Sequence, residues 1–144
     1  MARVYVSSII PASAATVWRV IRDFNALPRW TPFVARSEIE GGLPADQIGC
    51  VRRFVQKDGG VIRERLLALS DVDMACTYSI LESPMGVEDY QAVLSLQPVT
   101  DGDVTFACWT AEFTATKERE AELTAFIGTS VFLAAFRHLQ GVVK

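Results

Sequence analysis

Residues 117–138 read KEREAELTAFIGTSVFLAAFRH, and this stretch decides the fold. Its first turns carry charge on Lys117, Glu118, Arg119, Glu120 and Glu122, whereas the fourteen residues from Leu123 to Phe136 carry none. Phe126, Ile127, Val131, Phe132, Leu133 and Phe136 leave little of a helix's circumference polar, so this helix must be enclosed, not laid on a surface. A bilayer span needs ~20 apolar residues. The uncharged run falls short of that, and Arg137 and His138 close it. At the other end, Met1-Ala2-Arg3 leads into alternation and not into an apolar leader. The expectation is a soluble, cytoplasmic chain without integral membrane contact.

What could enclose such a helix is written in the residues before it. Val4, Val6 and Ser8 alternate with Tyr5, Ser7 and Ile9, the pattern of a first strand. Ser13 is placed as an N-cap for a helix carrying Val17, Trp18, Val20, Ile21 and Phe24. Pro28 breaks it, and Arg29 to Pro32 form a second short helical turn before a strand from Phe33 to Glu40. Gly41 to Pro44 mark a turn. Gly49–Gln56 and Val61–Leu69 flank Lys57-Asp58-Gly59-Gly60, a hairpin signature. Ala75–Leu81 and Asp89–Gln97 bracket the segment Glu82 to Glu88, too long for a tight turn and therefore a candidate functional loop. Asp101-Gly102-Asp103 turns into a last strand, Val104 to Thr114. The order is a strand, two short helices, about six further antiparallel strands and a long helix. That order defines the α+β class, and the 144 residues suit a single domain, 1–144.

Composition narrows the function classes. Half the residues are hydrophobic, more than a simple packed core needs, which leaves apolar surface for a pocket or a homodimer face. A net charge of −3 argues against nucleic acid, because phosphate neutralisation needs a basic patch. The small basic clusters are Arg52-Arg53 and Arg63/Arg65, the latter pair sharing one strand face on a solvated sheet exterior. Cys50, Cys76 and Cys108 lack metal or disulfide spacing and read as small sheet or core residues in a reducing compartment. With one histidine, His138, in the closing helix, neither a metal site nor a cofactor is expected.

Several landmarks then stand together: Phe24 with Trp30-Thr31-Pro32, Arg63-Glu64-Arg65-Leu66, Tyr78-Ser79-Ile80 through Pro84 to Tyr90, and Trp109 with Phe113. In these the chain resembles the START-like, Bet v 1-like superfamily, often labelled polyketide cyclase/dehydrase or lipid transport. In order and spacing it is most similar to bacterial relatives of the plant abscisic-acid receptors. The resemblance implies a helix-grip fold, a curved antiparallel sheet of about seven strands wrapped around the C-terminal helix. It does not carry over hormone reception. The lysine that grips the hormone carboxylate falls at Ala35, with Arg36 expected on the opposite strand face. The receptor gate is replaced by Gln56 to Gly60, and the latch by Met85-Gly86-Val87. Gly42-Leu43-Pro44-Ala45 lies one hairpin too early to serve as that gate.

With the resemblance setting the parity, Ile62, Glu64, Leu66 and Ala68 face inward on one strand, and Tyr78, Ile80, Tyr90, Ala92, Trp109, Ala111 and Phe113 do so on others. Ile127, Val131 and Ala135 add the helix side, with Gly128 and Ala134 permitting close approach of the sheet. Trp30 and Val87 stand at the opening, where the Pro84 to Val87 loop gates entry. Trp30, Trp109 and the other aromatics serve equally as core packing. Glu64 is either an acid among apolar neighbours with a raised pKa, or a carboxylate near the mouth that is hydrated or paired with an arginine.

The function expected is the binding of a small hydrophobic ligand, aromatic or polycyclic, polyketide- or lipid-like, in an internal cavity. Two alternatives stay open. One is a polyketide cyclase or dehydratase in which Glu64, Tyr78 or Tyr90 moves a proton. The other is a non-catalytic protein-interaction domain acting through the loops around Pro84.

Overall fold

The computed structural model describes residues 1–143. Strand β1 (Ala2–Ile10) leads to helix α1 (Ala14–Ile21) and the single turn α2 (Leu27–Trp30). Then come β2 (Val34–Ile39), β3 (Val51–Gln56), β4 (Val61–Ser70), β5 (Ala75–Glu82), β6 (Glu88–Val99) and β7 (Val104–Thr114). The chain closes with α3 (Lys117–Ala125), a π-helical segment (Phe126–Leu133) and α4 (Ala134–Val142). Helical backbone continues through both junctions, so these three pieces form one long helix.

All seven strands form one antiparallel sheet in the order β1-β7-β6-β5-β4-β3-β2. Its concave face and the long helix bury a common core. The expected helix-grip architecture is therefore present. Local chemistry explains how the two short helices reach one end of it. Ser13 Oγ accepts the N–H of Thr16 at 3.2 Å and starts α1, which turns Val17, Trp18, Val20 and Ile21 inward. Trp18 Nε1 and Arg22 Nε each donate to Asp71 Oδ1 at 2.8 Å, tying α1 to the β4–β5 turn. Pro28 at the start of α2 suits a first turn, where a missing N–H costs no helix bond.

That end of the grip is filled by aromatic rings. Trp109 on β7 stacks on Phe132 with centroids 4.2 Å apart and planes 7° from parallel, and packs against Trp30 at 5.7 Å and Phe136 at 5.6 Å. Gly128 faces β1, but a Cβ there would meet the Val4 and Val6 side chains at 3.5 and 3.7 Å, ordinary contact distances, so the approach of the sheet does not require a glycine.

Two bulges break the expected alternation. The β4–β5 register shifts between Leu66 and Ala68, so Leu67 and Ala68 are both exposed and Leu69 turns toward the core. Ala68 therefore does not face inward as its parity implies. A second shift between Val34 and Arg36 leaves both Ala35 and Arg36 exposed, and not on opposite faces.

Candidate functional site

The filled end confines the cavity to the other half of the grip, beneath the β3–β4 hairpin, the β5–β6 loop (residues 83–87) and the π-helical segment. It has a volume of about 200 Å³. Apolar walls come from Phe33, Phe54, Ile62, Ile80, Met85 and the helix, and polar ones from Gln56, Asp58, Glu64, Tyr78 and Tyr90. A larger hollow of about 520 Å³ lies outside the sheet along β1, β7 and β6. Exposed strand positions such as Arg3, Tyr5 and Asp89, with the half-buried Glu112, form it, without the buried polar groups of the inner cavity.

The helix side of the cavity depends on the π-helical ladder. Phe126, Ile127, Val131 and Phe132 all line it, and they form two pairs five residues apart. On an α-helix of 3.6 residues per turn, positions five apart diverge by roughly 140°. An i→i+5 ladder widens the turn and brings such pairs onto one face.

At the cavity's inner wall the β3–β4 register sets Arg52 directly opposite Glu64. Both side chains are only 7% exposed. Arg52 Nε donates to Glu64 Oε1 at 2.8 Å, and Nη2 lies 2.7 Å from the same oxygen in the ion pair. Its Nη1 donates to the carbonyl of Phe24 at 3.1 Å, and the guanidinium carbon lies 3.9 Å from the Phe24 ring centre and 4.8 Å from that of Tyr78. Every face of Arg52 is engaged behind the wall. Glu64 lines the cavity, and its second oxygen, Oε2, has no hydrogen-bond partner among the described residues.

Burial pushes the Glu64 carboxyl above its ordinary value, with the charge and hydrogen bonds of Arg52 pulling the other way. Burial also raises the phenols of Tyr78 and Tyr90, which keeps both protonated at neutral pH. Tyr78 Oη accepts from Trp109 Nε1 at 3.1 Å. The tyrosines are thus hydrogen-bonding groups, and Glu64 is the group in this wall placed to take up and release a proton. Cys76, close by, has its thiol pushed up to about 11 by burial and is no nucleophile at neutral pH.

Of the residues named from sequence, Ile62, Glu64, Tyr78, Ile80, Tyr90, Ile127 and Val131 are brought together around this cavity. Trp30, Leu66, Trp109 and Phe113 lie in the packed core beside it, outside its lining. Ala135 is fully buried next to them. Val87 sits half-buried in the β5–β6 loop, and His138 is exposed on α4. Arg52 is the residue that sequence reasoning missed, taken there with Arg53 as one basic cluster. Counting back from the hairpin turn pairs it with Glu64, and that signal was available.

The loop over the cavity is clasped from the helix. Arg119 Nη1 donates to the Met85 carbonyl at 2.8 Å, while Nη2 pairs with Glu122 at 3.2 Å. Gly86 follows at a φ of 80°, where a Cβ would come within 2.6 Å of that same Nη1.

A sheet gripping one long helix over a mostly apolar cavity defines the helix-grip class of ligand-binding domains. The chain belongs to the polyketide cyclase/dehydrase and lipid transport family, whose model matches residues 1–143. Among solved structures it is similar to the protein XoxI of Bacillus cereus, at 28% identity and a TM-score of 0.87, covering 99% of this chain and 96% of that one. A Thermobifida fusca protein matches at 29% identity and a TM-score of 0.88, covering 99% and 93%. Among curated proteins it is similar to an abscisic acid receptor of Arabidopsis thaliana, 27% identical over 92 residues. That match takes in 62% of this chain and 42% of the receptor's length. No helix among the described residues is long and apolar enough to cross a membrane.

Proposed function

We propose that this chain binds a small, mostly apolar ligand in the cavity between the concave sheet and the π-helical segment. One observation carries the reading: a mostly apolar cavity of about 200 Å³ is lined by the buried Glu64, whose Oε2 has no hydrogen-bond partner among the described residues. An apolar cavity of about 150 Å³ is enough for benzene, while drug-sized ligands need about 300 Å³ or more. The volume therefore favours one- or two-ring members of the expected ligand class, and a polycycle needs the residue 83–87 loop to move. The free thiols of Cys50, Cys76 and Cys108 support a reducing, cytoplasmic setting.

The test is native mass spectrometry of the purified chain, followed by thermal unfolding with benzene, ethylbenzene and indole as probes. A co-purifying small molecule, or a melting temperature that rises and saturates with probe, supports the reading. An apo mass with no shift for any probe rejects it.

Glu64 also favours a second reading, proton transfer on a bound substrate. A buried carboxyl with a raised pKa and one oxygen without a hydrogen-bond partner among the described residues has the character of a general acid or base. Loss of turnover in Glu64→Gln with ligand binding retained supports catalysis. Unchanged turnover removes Glu64 from it.

A further inference from the structure

Resting on the cavity being a ligand site, we propose that it selects a ligand whose polar end is a protonated amine, on a skeleton of one or two aromatic rings. It discriminates against the carboxylate of the same skeleton. The charges on the wall are one-sided. Glu64 and Asp58 line the cavity, and among the described residues no lysine, arginine or histidine does. The nearby cation is spent: Arg52 places its donors on Glu64 Oε1 and the Phe24 carbonyl, and its faces lie on the rings of Phe24 and Tyr78. The Arg52–Glu64 pair is thus a dipole whose negative end faces inward, with Oε2 as its free acceptor.

Aromatic faces reinforce the sign. Phe33, Phe54, Tyr78, Tyr90, Phe126 and Phe132 all contribute to the lining, and the negative face of an aromatic ring attracts a cation held against it. An ammonium group finds a carboxylate acceptor inside, a second carboxylate at the hairpin rim and aromatic rings in the wall between them. A carboxylate finds the same two acids and, among the described residues, no basic side chain in the lining itself. Ala35 and Arg36 do not supply one, because the β2 bulge leaves both outside.

The experiment is calorimetric titration of the intact chain at neutral pH with four probes of one skeleton: phenethylamine, phenethyl alcohol, phenylacetate and ethylbenzene. The expected order places phenethylamine about tenfold or more ahead of the alcohol and ethylbenzene, with phenylacetate last. Asp58→Asn and Glu64→Gln are each expected to shrink the amine's advantage while ethylbenzene still binds. Asp58 sits on an exposed hairpin, so its variant keeps the test available if Glu64→Gln fails to fold. Binding of ethylbenzene or the alcohol as tight as that of the amine overturns the charge preference and leaves the cavity standing. So does phenylacetate binding tightest. Failure of all four to bind overturns the ligand-site reading itself.

Discussion

Arg52 donates through Nε to Glu64 Oε1 at 2.8 Å, holds Nη2 2.7 Å from that oxygen in an ion pair, and donates through Nη1 to the backbone of Phe24. The pair therefore joins the inner wall of the sheet to the residue just beyond α1. Removing one member leaves the other charged and buried, which typically costs about 3–5 kcal/mol, whereas replacing both with apolar side chains is often neutral or better. Arg52→Met is expected to destabilise the chain by about that amount, and Arg52→Met/Glu64→Met to recover most of it, read by urea unfolding. A double variant as unstable as the single one would mean that the loss lies in packing on Phe24 and Tyr78, not in the stranded charge.

The same burial sets a pH dependence. Glu64 is held above its ordinary 4.5 by desolvation, so the folded chain binds this proton more tightly than the unfolded one. Its contribution to stability is complete below 4.5 and is lost as pH rises through the folded-state value. Glu40 and Asp71 run the other way. The hydrogen bonds of Arg63 and Arg22 hold them low, so their contributions are present at higher pH and fade as pH falls. Relative to Glu64→Gln, the wild type is expected to lose stability as pH is raised from 4.5, and the side-chain carbon resonance of Glu64 to titrate with a midpoint above it. A midpoint at or below 4.5 would show Arg52 outweighing burial.

Much of this wall could be read from the chain before any coordinates. Alternation placed Ile62, Glu64 and Leu66 on one face because hairpin chemistry at residues 57–60 ties the register, and the observed pairs Val55↔Val61 through Val51↔Arg65 keep it without a slip. Beyond Leu66 the rule failed. A bulge is a ladder irregularity that needs no special residue, and it turned Ala68 outward. The π-helical segment was equally hidden. Phe126 and Val131, five apart, do not share an α-helical face, so their joint presence in the cavity depends on a widened backbone that residue types do not announce. Whether Trp109 lines a cavity or fills it was also beyond pattern. Parity aims the ring inward, and the stack with Phe132 decides what it meets there.

Arg119 and Gly86 together define how the cavity loop is held. Arg119→Ala removes the bond to the Met85 carbonyl and, besides it, only an exposed pair with Glu122, so global stability is expected to change by no more than about 0.5 kcal/mol. Gly86→Ala adds strain at positive φ, about 1–3 kcal/mol, and displaces the same guanidinium. Both variants should speed amide hydrogen exchange at Met85 to Val87 and leave β6 and β7 protected. Unchanged exchange in Arg119→Ala would show that the loop is held by its own turn and not by the clasp.

Val131 and Ala135 stand one helical turn apart and should answer opposite questions. Val131 lines the cavity, whereas Ala135 is fully buried outside it, among the core residues. A larger ring at Val131 has about 200 Å³ to enter, so Val131→Phe is expected to unfold near the wild-type temperature while occupying the space a ligand needs. At Ala135 the same ring has no space, and overpacking costs about 1–3 kcal/mol or more. Thermal unfolding of the two variants, with and without ethylbenzene, separates them. The expected result is a near-normal Val131→Phe that no longer responds to ethylbenzene and a destabilised Ala135→Phe. Equal destabilisation of both would mean that the helix seals against the sheet at Val131, and the cavity would then lose the wall on which its volume depends.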